Sequence, residues 1–381
     1  MKKIHITLVG GQTMPVILGI IESKADKVLL IHSSGSRKEL ERVKQYLLER
    51  NLYSGDNLIS EEIDAVDFYL VDAAAKAIFE RYCDYEIEIN ISSGTKPWSI
   101  VFDRISKEYP NANTIYLDQN SNIYSLANYS KIPIQSKFST SEILEINNKR
   151  TDNFLELTSF TEEDLKTMQM VKEIRNLNHK DFNFLTILNK DTKRIFYSNN
   201  EGEIFSSFSQ SSISWNKNDN TVIITIQKNE KIKIYKLSSP NVMSLVFNAG
   251  WFEYEIAVLL SKWKYAKDVW LNVSFPSKTG VDKNEVDIIV NIGTKLLFVE
   301  CKTQISQITD IDKFRTVVKN YGGMGCKSLF ITDAKMTQAA KEKCDESDIL
   351  TFSLSDSNLY LSSEQALFMM LESAIFNINK K

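Results

Sequence analysis

The stretch EVDIIVNIGTKLLFVECK, residues 285–302, decides how the C-terminal part of the chain folds. Two runs of eight residues, each rich in apolar side chains, flank the pair Gly293-Thr294. Glycine in the first place of a two-residue loop is typical of a type II′ hairpin turn. In the register that this turn imposes, Asp287 lies opposite Glu300. Such partners are about 5 Å apart at Cβ, close enough for two carboxylates to share one cation.

The charges of this hairpin come at the end of an apolar strand. Alternation places Glu300 and Lys302 on the same face as Leu296 and Phe298, so the charges are expected to be poorly solvated. A surface hairpin on which Glu300 pairs with Lys302 or Lys295 is the simpler alternative, because exposed ion pairs are common and stabilise by under about 1 kcal/mol. We favour a functional site, since facing carboxylates repel each other unless a cation lies between them. Oxygen ligands select Mg²⁺ or Mn²⁺.

The elements around the hairpin form a recognisable series. Gly250 precedes an amphipathic helix, a strand and a polar loop, and the hairpin is followed by helices alternating with strands. The predicted elements are a helix at 251–260, a strand at 268–273, a helix at 310–321 and strands at 328–331 and 350–353.

The spacing Asp287-(x12)-Glu300-Cys301-Lys302 resembles the D-(xn)-E-x-K core of the PD-(D/E)XK nucleases. Val286 stands where that motif has its proline. The resemblance implies a restriction-endonuclease-like α/β domain. It also implies endonuclease activity, which is the hydrolysis of phosphodiester bonds. It implies that Asp287 and Glu300 are metal ligands and catalytic residues. Lys302, also catalytic, would hold the attacking water or stabilise the charged phosphate.

The same family takes a glutamate from the helix before the hairpin. Gly250-Trp251-Phe252-Glu253 matches this G-x-x-E pattern, which favours Glu253 over Glu255. The resemblance implies that Glu253 is a further metal ligand and catalytic residue. The alternative is an ordinary acid in the first turn, where the helix dipole favours negative charge.

The N-terminal half has a different pattern. Short apolar strands alternate with helices, which predicts a mostly parallel sheet covered on both faces, a Rossmann-like α/β domain ending near residue 138. The predicted strands are 4–9, 28–31, 86–91 and 114–117.

Three loops leave the predicted carboxyl ends of these strands, namely Gly10–Pro15, His32–Arg37 and Ser92–Pro97. Ligands of open α/β sheets bind at that edge. The third loop offers backbone donors, hydroxyls and a lysine, which suit phosphate. A dinucleotide-binding enzyme is an alternative, but the first loop lacks GxGxxG spacing and His32-Ser33 ends the second strand without a ribose-binding acid.

These loops resemble those of CARF domains, the CRISPR-associated Rossmann-fold sensors. Ser92-Ser93-Gly94-Thr95-Lys96 is similar to their signature, and Leu8–Thr13 with Pro15 is similar to their first ligand loop. A CARF domain followed by a PD-(D/E)XK domain is the arrangement of the Card/Can-type ancillary nucleases of type III CRISPR antiviral defence. The resemblance implies that a cyclic oligoadenylate, usually the tetra-adenylate, binds across a homodimer and activates cleavage of DNA, RNA or both. The ligand-binding residues it implies are Gln12, Thr13, Ser33, Ser93, Gly94, Thr95 and Lys96.

The middle of the chain matches this arrangement poorly. Residues 139–178 are predicted to be helical, and residues 195–235 to form short strands with a hairpin around Lys228-Asn229-Glu230. A HEPN ribonuclease would carry R-x4–6-H, whereas Arg175 and His179 are separated by three residues. A CARF-linked regulator that binds nucleic acid without cleaving it is the remaining alternative; it would have a winged helix here and would lack the Asp, Glu and Lys of the hairpin.

The length, net charge and composition of the chain limit the number of domains and the classes of function. A chain of 381 residues suggests two or three domains, which we place at 1–138 (CARF), 139–245 (connecting region) and 246–381 (nuclease). The net charge of −3 means that any phosphate-binding surface is local. The sequence contains no run of eighteen or more apolar residues, the length that a membrane helix needs. Four scattered cysteines and three histidines argue against structural zinc and for reduced thiols in the cytoplasm.

Overall fold

The computed structural model describes residues 1–276, 284–303, 309–323, 325–355 and 361–376. Its N-terminal sheet has seven strands in the order β3-β2-β1-β4-β5-β6-β7. The first five are parallel, and the last two add an antiparallel extension. The strands are β1 (Lys3–Leu8), β2 (Lys27–His32), β3 (Leu58–Glu62), β4 (Glu86–Asn90), β5 (Ala112–Leu117), β6 (Asn122–Ser125) and β7 (Lys131–Pro133).

Helices cover both faces of this sheet, which confirms the predicted Rossmann-like fold. The helices are α1 (Met14–Ser23), α2 (Arg37–Glu49), α3 (Phe68–Arg81), α4 (Lys96–Ser106) and α5 (Thr140–Ile146). Local sequence fixes where they begin: α1 and α4 each have a proline in the first turn, where no backbone donor is needed. Strand β3 was not predicted, because its sequence LISEE has only two apolar residues.

The C-terminal sheet has six strands in the order β17-β16-β15-β14-β13-β8. They are β8 (Asn153–Glu156), β13 (Asp268–Phe275), β14 (Asn284–Asn291), β15 (Leu296–Lys302), β16 (Lys327–Thr332) and β17 (Leu350–Ser353). The prediction that residues 139–178 are helical throughout is therefore wrong at β8. The ring of Phe154 stacks 3.7 Å from that of Trp270, and this contact overrides local helix preference.

Between β8 and β13 the chain forms a separate layer. Three helices, α6 (Glu162–Leu177), α7 (His179–Thr186) and α8 (Lys190–Ser198), precede a four-stranded antiparallel sheet. Its strands are β9 (Glu201–Phe205), β10 (Ser212–Asn216), β11 (Thr221–Lys228) and β12 (Lys231–Ser238). The predicted hairpin is confirmed, with Lys228 paired to Lys231. The predicted strand region began too early, because residues 195–198 still belong to α8.

In the described part of the chain, Val242–Ser261 is the one segment long and apolar enough to cross a membrane. It is not one continuous helix. Asn248 and Ala249 have φ of 55° and 65°, which separates α9 (Val242–Val246) from α10 (Gly250–Ser261). Both helices pack into the core, α9 through Leu245 and α10 through Trp251 and Ile256.

The remaining helices belong to the C-terminal domain. They are α11 (Thr309–Tyr321), α12 (Gln338–Asp345) and α13 (Ser363–Phe376). One face of the six-stranded sheet packs on α10, α13 and the connecting region. The other face shares a core with α1, α2 and α5, so that Phe298 and Leu40 belong to the same buried cluster. The two predicted domains are therefore joined by a common hydrophobic core.

The decisive hairpin has the predicted two-residue turn, and the predicted register is confirmed next to the turn but does not extend to Asp287 and Glu300. The amide of Ile292 donates to the carbonyl of Lys295 (3.0 Å), which leaves Gly293-Thr294 as the two-residue loop. Gly293 has φ of +99°, the region that glycine adopts without strain. Regular pairing runs from Asn291 opposite Leu296 to Ile288 opposite Val299.

Candidate active site and ligand cavity

Asp287 lies at a point where two neighbouring strands, β13 and β14, reverse the faces of the sheet to which their side chains point. Leu271 and Val273 are two residues apart on β13, yet they belong to opposite core clusters, and so do Ile288 and Val286 on β14. Between the first pair, Asn272 has a left-handed φ of 51°. This reversal ends the regular pairing just before Asp287, so Asp287 is not the ladder partner of Glu300. Its carboxylate instead accepts a hydrogen bond from the amide of Cys301 (2.7 Å).

Lys302 joins the two acids of the hairpin. Its Nζ lies 2.5 Å from Oε1 of Glu300 and 3.5 Å from Oδ2 of Asp287. It also donates to the carbonyl of Cys301 (3.2 Å). The side chains of Asp287 and Glu300 are only 15% and 14% exposed, so these charges are largely removed from water. The predicted cluster is assembled, with an ammonium between the carboxylates.

Glu253 reaches the same cluster from the first turn of α10. Burial and the nearby Asp287 carboxylate raise its pKa well above the usual value. Glu255, two residues on, is bound to Lys172 of α6 and is therefore engaged elsewhere. The structure thus places Glu253, the residue favoured by the sequence pattern, with the acids of the hairpin.

More carboxyl groups meet at this site than one ammonium can neutralise, and burial together with this excess raises the pKa values of Glu253 and Glu300. Burial and Asp287 raise the pKa of Glu300 to about 8. Burial disfavours the charged form of Lys302, but Asp287 and Glu300 outweigh it and raise the pKa of its ammonium. Carboxylates of raised pKa gathered in one place are suited to a hard cation. The donor set of Asp287, Glu300 and Glu253 consists of carboxylate oxygens, which fits Mg²⁺ or Mn²⁺ by ligand chemistry. Among the described residues, no three acidic, histidine or cysteine side chains are grouped closely enough to hold a metal ion as they stand.

Two neighbours of this site had no sequence motif to reveal them. Asp310, in the first turn of α11, is close enough to Glu300 to help raise its pKa. Arg175, near the end of α6, forms a 3.1 Å ion pair with Asp333. The amide of Asp333 in turn bonds the carbonyl of Lys302 (3.3 Å), so the connecting region reaches the edge of the site. Strand alternation also predicts that Gln304, the next same-face residue after Lys302, lines the site; this residue lies outside the described residues.

A second feature is a cavity of about 810 Å³ at the carboxyl edge of the N-terminal sheet. It opens between the loops that follow β1 and β4, where the strand order reverses, which is the usual ligand position in such sheets. Six of the seven predicted ligand-binding residues line it: Gln12, Thr13, Ser93, Gly94, Thr95 and Lys96. Ser33 does not line it; its backbone and Ser36 close a turn after β2.

Several of these residues shape the cavity. The hydroxyl of Ser93 accepts from the amide of Gly10 and donates to the carbonyl of Gln12, both at 3.1 Å, which holds the two loops together. Thr13 donates to Ile146 (2.6 Å), and Thr95 donates to Ala65 (2.7 Å).

Glycine is required at residue 94 because the backbone there passes close to Leu8 and Trp98. A Cβ on Gly94 would lie 2.8 Å from side-chain atoms of both residues. The side chains of Gln12 and Lys96 form no hydrogen bond or ion pair within the described residues. These two are the predicted residues whose polar groups are available to a ligand.

The rest of the cavity comes from parts of the chain that sequence patterns did not connect with it. Asn147 and Lys149 follow α5, and Lys319 lies near the end of α11. Thr294 and Lys295 come from the turn of the hairpin itself. The hairpin therefore extends from this cavity to the acidic cluster. Nothing in the local sequence signals this, because the contributing segments are far apart along the chain.

Comparison with known proteins agrees with this architecture. Residues 4–143 match the family model of the Card1 CARF domain, so the N-terminal domain is a CARF domain. Can2 from Sulfobacillus thermosulfidooxidans, solved in complex with cyclic tetra-adenylate, matches with 18% identity and a TM-score of 0.67 over 98% of both chains. Protein VC1899 from Vibrio cholerae matches with 14% identity and a TM-score of 0.72, also over 98% of both.

A further solved structure is a type III CRISPR defence DNA nuclease activated by cyclic oligoadenylate. It has 14% identity and a TM-score of 0.58, over 98% of this chain and 52% of that one. A comparison with curated proteins finds no match. At these identities the structural likeness concerns the fold, and it confirms the predicted combination of a Rossmann-like CARF domain with a C-terminal α/β domain.

Proposed function

We propose that this CARF-domain protein is a metal-dependent endonuclease of type III CRISPR defence that a cyclic oligoadenylate activates. The observation that carries the proposal is the ammonium of Lys302 between the carboxylates of Asp287 and Glu300, at 3.5 and 2.5 Å. Glu253 lies beside them with a raised pKa. An isolated surface ion pair would not hold two largely buried acids on one lysine.

The acids would hold a divalent cation, Mn²⁺ or Mg²⁺, through Asp287, Glu300 and Glu253. When bound, such an ion polarises a scissile phosphate and lowers the pKa of a bound water. Lys302 itself stabilises negative charge on the phosphate as it develops, and its contact with Glu300 keeps the ammonium at the site. Burial of the acids strengthens each of these electrostatic interactions.

The substrate is DNA, single-stranded RNA or both, and the assembled acids and lysine favour cleavage over a regulator that only binds nucleic acid. Cyclic tetra-adenylate is the first choice of activator, since the similar Can2 structure contains it. A two-fold ligand suits a homodimer that presents the same loops twice. Activation requires that the ligand bind the active arrangement more tightly than the idle one. We place this activity in the cytoplasm, with no membrane partner.

The direct test combines the purified protein and Mn²⁺ with plasmid DNA and labelled single-stranded RNA and DNA, with and without each cyclic oligoadenylate. We expect cleavage of at least one substrate to rise sharply with cyclic tetra-adenylate. Equal cleavage with and without every activator would contradict the sensor role. The absence of cleavage under all conditions would contradict the nuclease role and favour the binding regulator.

Two variants test the residue roles in the same assay. Lys302→Ala should lower the cleavage rate by a factor on the order of 10²–10³, the usual effect of losing a charge-stabilising donor. Glu253→Gln should also abolish most activity, whereas Glu255→Gln, the same change two residues along α10, should leave most of it because Glu255 binds Lys172. Wild-type activity in Lys302→Ala would show that the site is wrongly assigned.

A further inference from the structure

The cavity on the CARF domain has a wall made by the nuclease domain. Lys319, Gly323 and Gly325 line it from the end of α11 and the segment that follows. Gly323 has φ of +70°, and a Cβ on it would lie 2.6 Å from Cγ of Asn147. This contact leaves room only for glycine, so the nuclease wall is packed closely against the segment that follows the CARF domain.

The charge of the cavity is strongly one-sided. Four lysines line the cavity, whereas Asp118 is the one acidic residue among the described residues that line it. Asp118 is already occupied, because its carboxylate accepts from the amides of Asn120 and Asn122, both at 2.8 Å. An excess of cations over acids in a polar cavity suits a ligand with several negative charges.

The four lysines are not equivalent. Lys295 is almost fully buried and donates to the carbonyl of Gln119. Lys96 and Lys319 are exposed, and neither ammonium has a hydrogen bond or ion pair within the described residues. Lys149 is half-buried, with its ammonium 5.9 Å from the ring centre of Tyr321. Three cations from three parts of the chain, the CARF loop, the segment after α5 and the nuclease domain, are therefore available to one ligand.

Resting on the proposed function, we infer that the nuclease domain itself binds the activator: Lys319 of α11 and Lys149 contact phosphates of the same cyclic oligoadenylate that Lys96 holds. A ring of phosphodiesters presents several anions at once, so cations on opposite walls can be engaged together. The activator is then a bridge between the two domains, and its binding energy depends on how the nuclease domain is placed.

Lys319 could instead serve only its own helix, because a cation in the last turn stabilises the carboxyl end of a helix. That role predicts a change in thermal stability without a change in ligand affinity. The two roles therefore differ in a measurable way.

The test measures the affinity of the full chain for cyclic tetra-adenylate by calorimetry, with EDTA present to prevent cleavage. Lys319→Gln and Lys149→Gln should each weaken binding about tenfold or more, as expected for a lost charged contact. Lys319→Arg should keep most of the affinity. Lys313→Gln is the matched control, because Lys313 is exposed on the same helix but does not line the cavity.

In cleavage assays with Mn²⁺, the Lys319→Gln protein should need more activator to reach half of its maximal rate. Unchanged affinity in Lys319→Gln and Lys149→Gln, while Lys96→Gln binds weakly, would overturn the inference and confine the ligand to the CARF domain, with the proposed function intact. A wild-type protein that binds no cyclic oligoadenylate would overturn both.

Discussion

Glu88 of β4 shows how a single buried acid holds two strands together. Its carboxylate binds Nζ of Lys3 and Nδ1 of His5 on β1, both at 3.0 Å. The ring of His5 is fully buried. Burial opposes the charged form of Glu88, but the hydrogen bond and charge of His5, with the charge of Lys3, lower its pKa to about 2. The ionised acid is therefore a stabilising part of the CARF sheet.

This gives stability a defined dependence on pH. Since an unfolded glutamate titrates near 4.5, the contribution of Glu88 is complete above that pH and is lost as pH falls towards about 2. We expect Glu88→Gln to lower the free energy of unfolding by about 2–3 kcal/mol at pH 7. The loss should shrink between pH 4.5 and 2, as followed by urea unfolding. Glu86→Gln, an exposed change on the same strand, is the control; an equal loss at all pH values would contradict the assignment.

At the scale of single residues, the sequence predicted the members of the acidic cluster but not the residues that surround it. The spacing of Asp287, Glu300 and Lys302 is local and can be read from one hairpin. Glu253 required a family pattern, because a first-turn acid has an ordinary structural explanation. Lys319 could not be predicted at all, since its importance comes from a tertiary contact and no local pattern distinguishes it from other surface lysines.

The hairpin of β14 and β15 is the element that connects the two sites. Asn291, 1% exposed, donates to the carbonyl of Phe138 and accepts from the amide of Gly293, both at 2.7 Å. The hydroxyls of Ser121 and Thr294 lie 2.6 Å apart. The turn of the hairpin is therefore fastened to the CARF domain, while the acids occupy the other end.

We expect loss of the Asn291 side chain to affect both the stability of the protein and its activation. Asn291→Ala leaves a buried carbonyl and a buried amide without partners, which should lower the free energy of unfolding by about 2–4 kcal/mol. We also expect weaker activation by cyclic oligoadenylate, because the turn beside the cavity is no longer fixed. Asn284→Ala, at the other end of β14, is the control, since Asn284 is partly exposed and has one bond to Tyr321 (3.0 Å). Equal activation of Asn291→Ala and wild type, at matched stability, would contradict this role.

Elements were predictable where their signals were local. The two-residue turn fixed the register of β14 and β15 because its geometry leaves no alternative pairing. The reversal at Asp287 was not predictable, since it depends on Asn272 in the neighbouring strand adopting a left-handed conformation. Strand β8 was missed for the same kind of reason, because four residues become a strand only when Phe154 can stack on Trp270.

For the whole molecule, the shared core packs the CARF domain and the C-terminal domain into one unit. Phe298 is fully buried in the cluster that includes α1 and α2. Phe298→Ala should lower the free energy of unfolding by about 3–5 kcal/mol and should raise amide hydrogen exchange in both α1 and the C-terminal sheet. Phe252→Ala opens the cluster on the other face of the same sheet, so its exchange effects should spare α1 and α2. Confinement of the Phe298→Ala effect to residues 246–376 would show that the domains open independently.

The position of β8 has a consequence for how such proteins can recombine. Residues 153–156 form the edge of the C-terminal sheet, yet the whole connecting region separates them from β13 in the chain. A fragment that begins at residue 246 would leave Trp270 uncovered and β13 as a bare edge, which invites pairing with other chains. The C-terminal domain is therefore not an independent unit that begins at residue 246, because its sheet includes β8. Exchange of the N-terminal domain between relatives preserves the C-terminal sheet only when the crossover falls before residue 153.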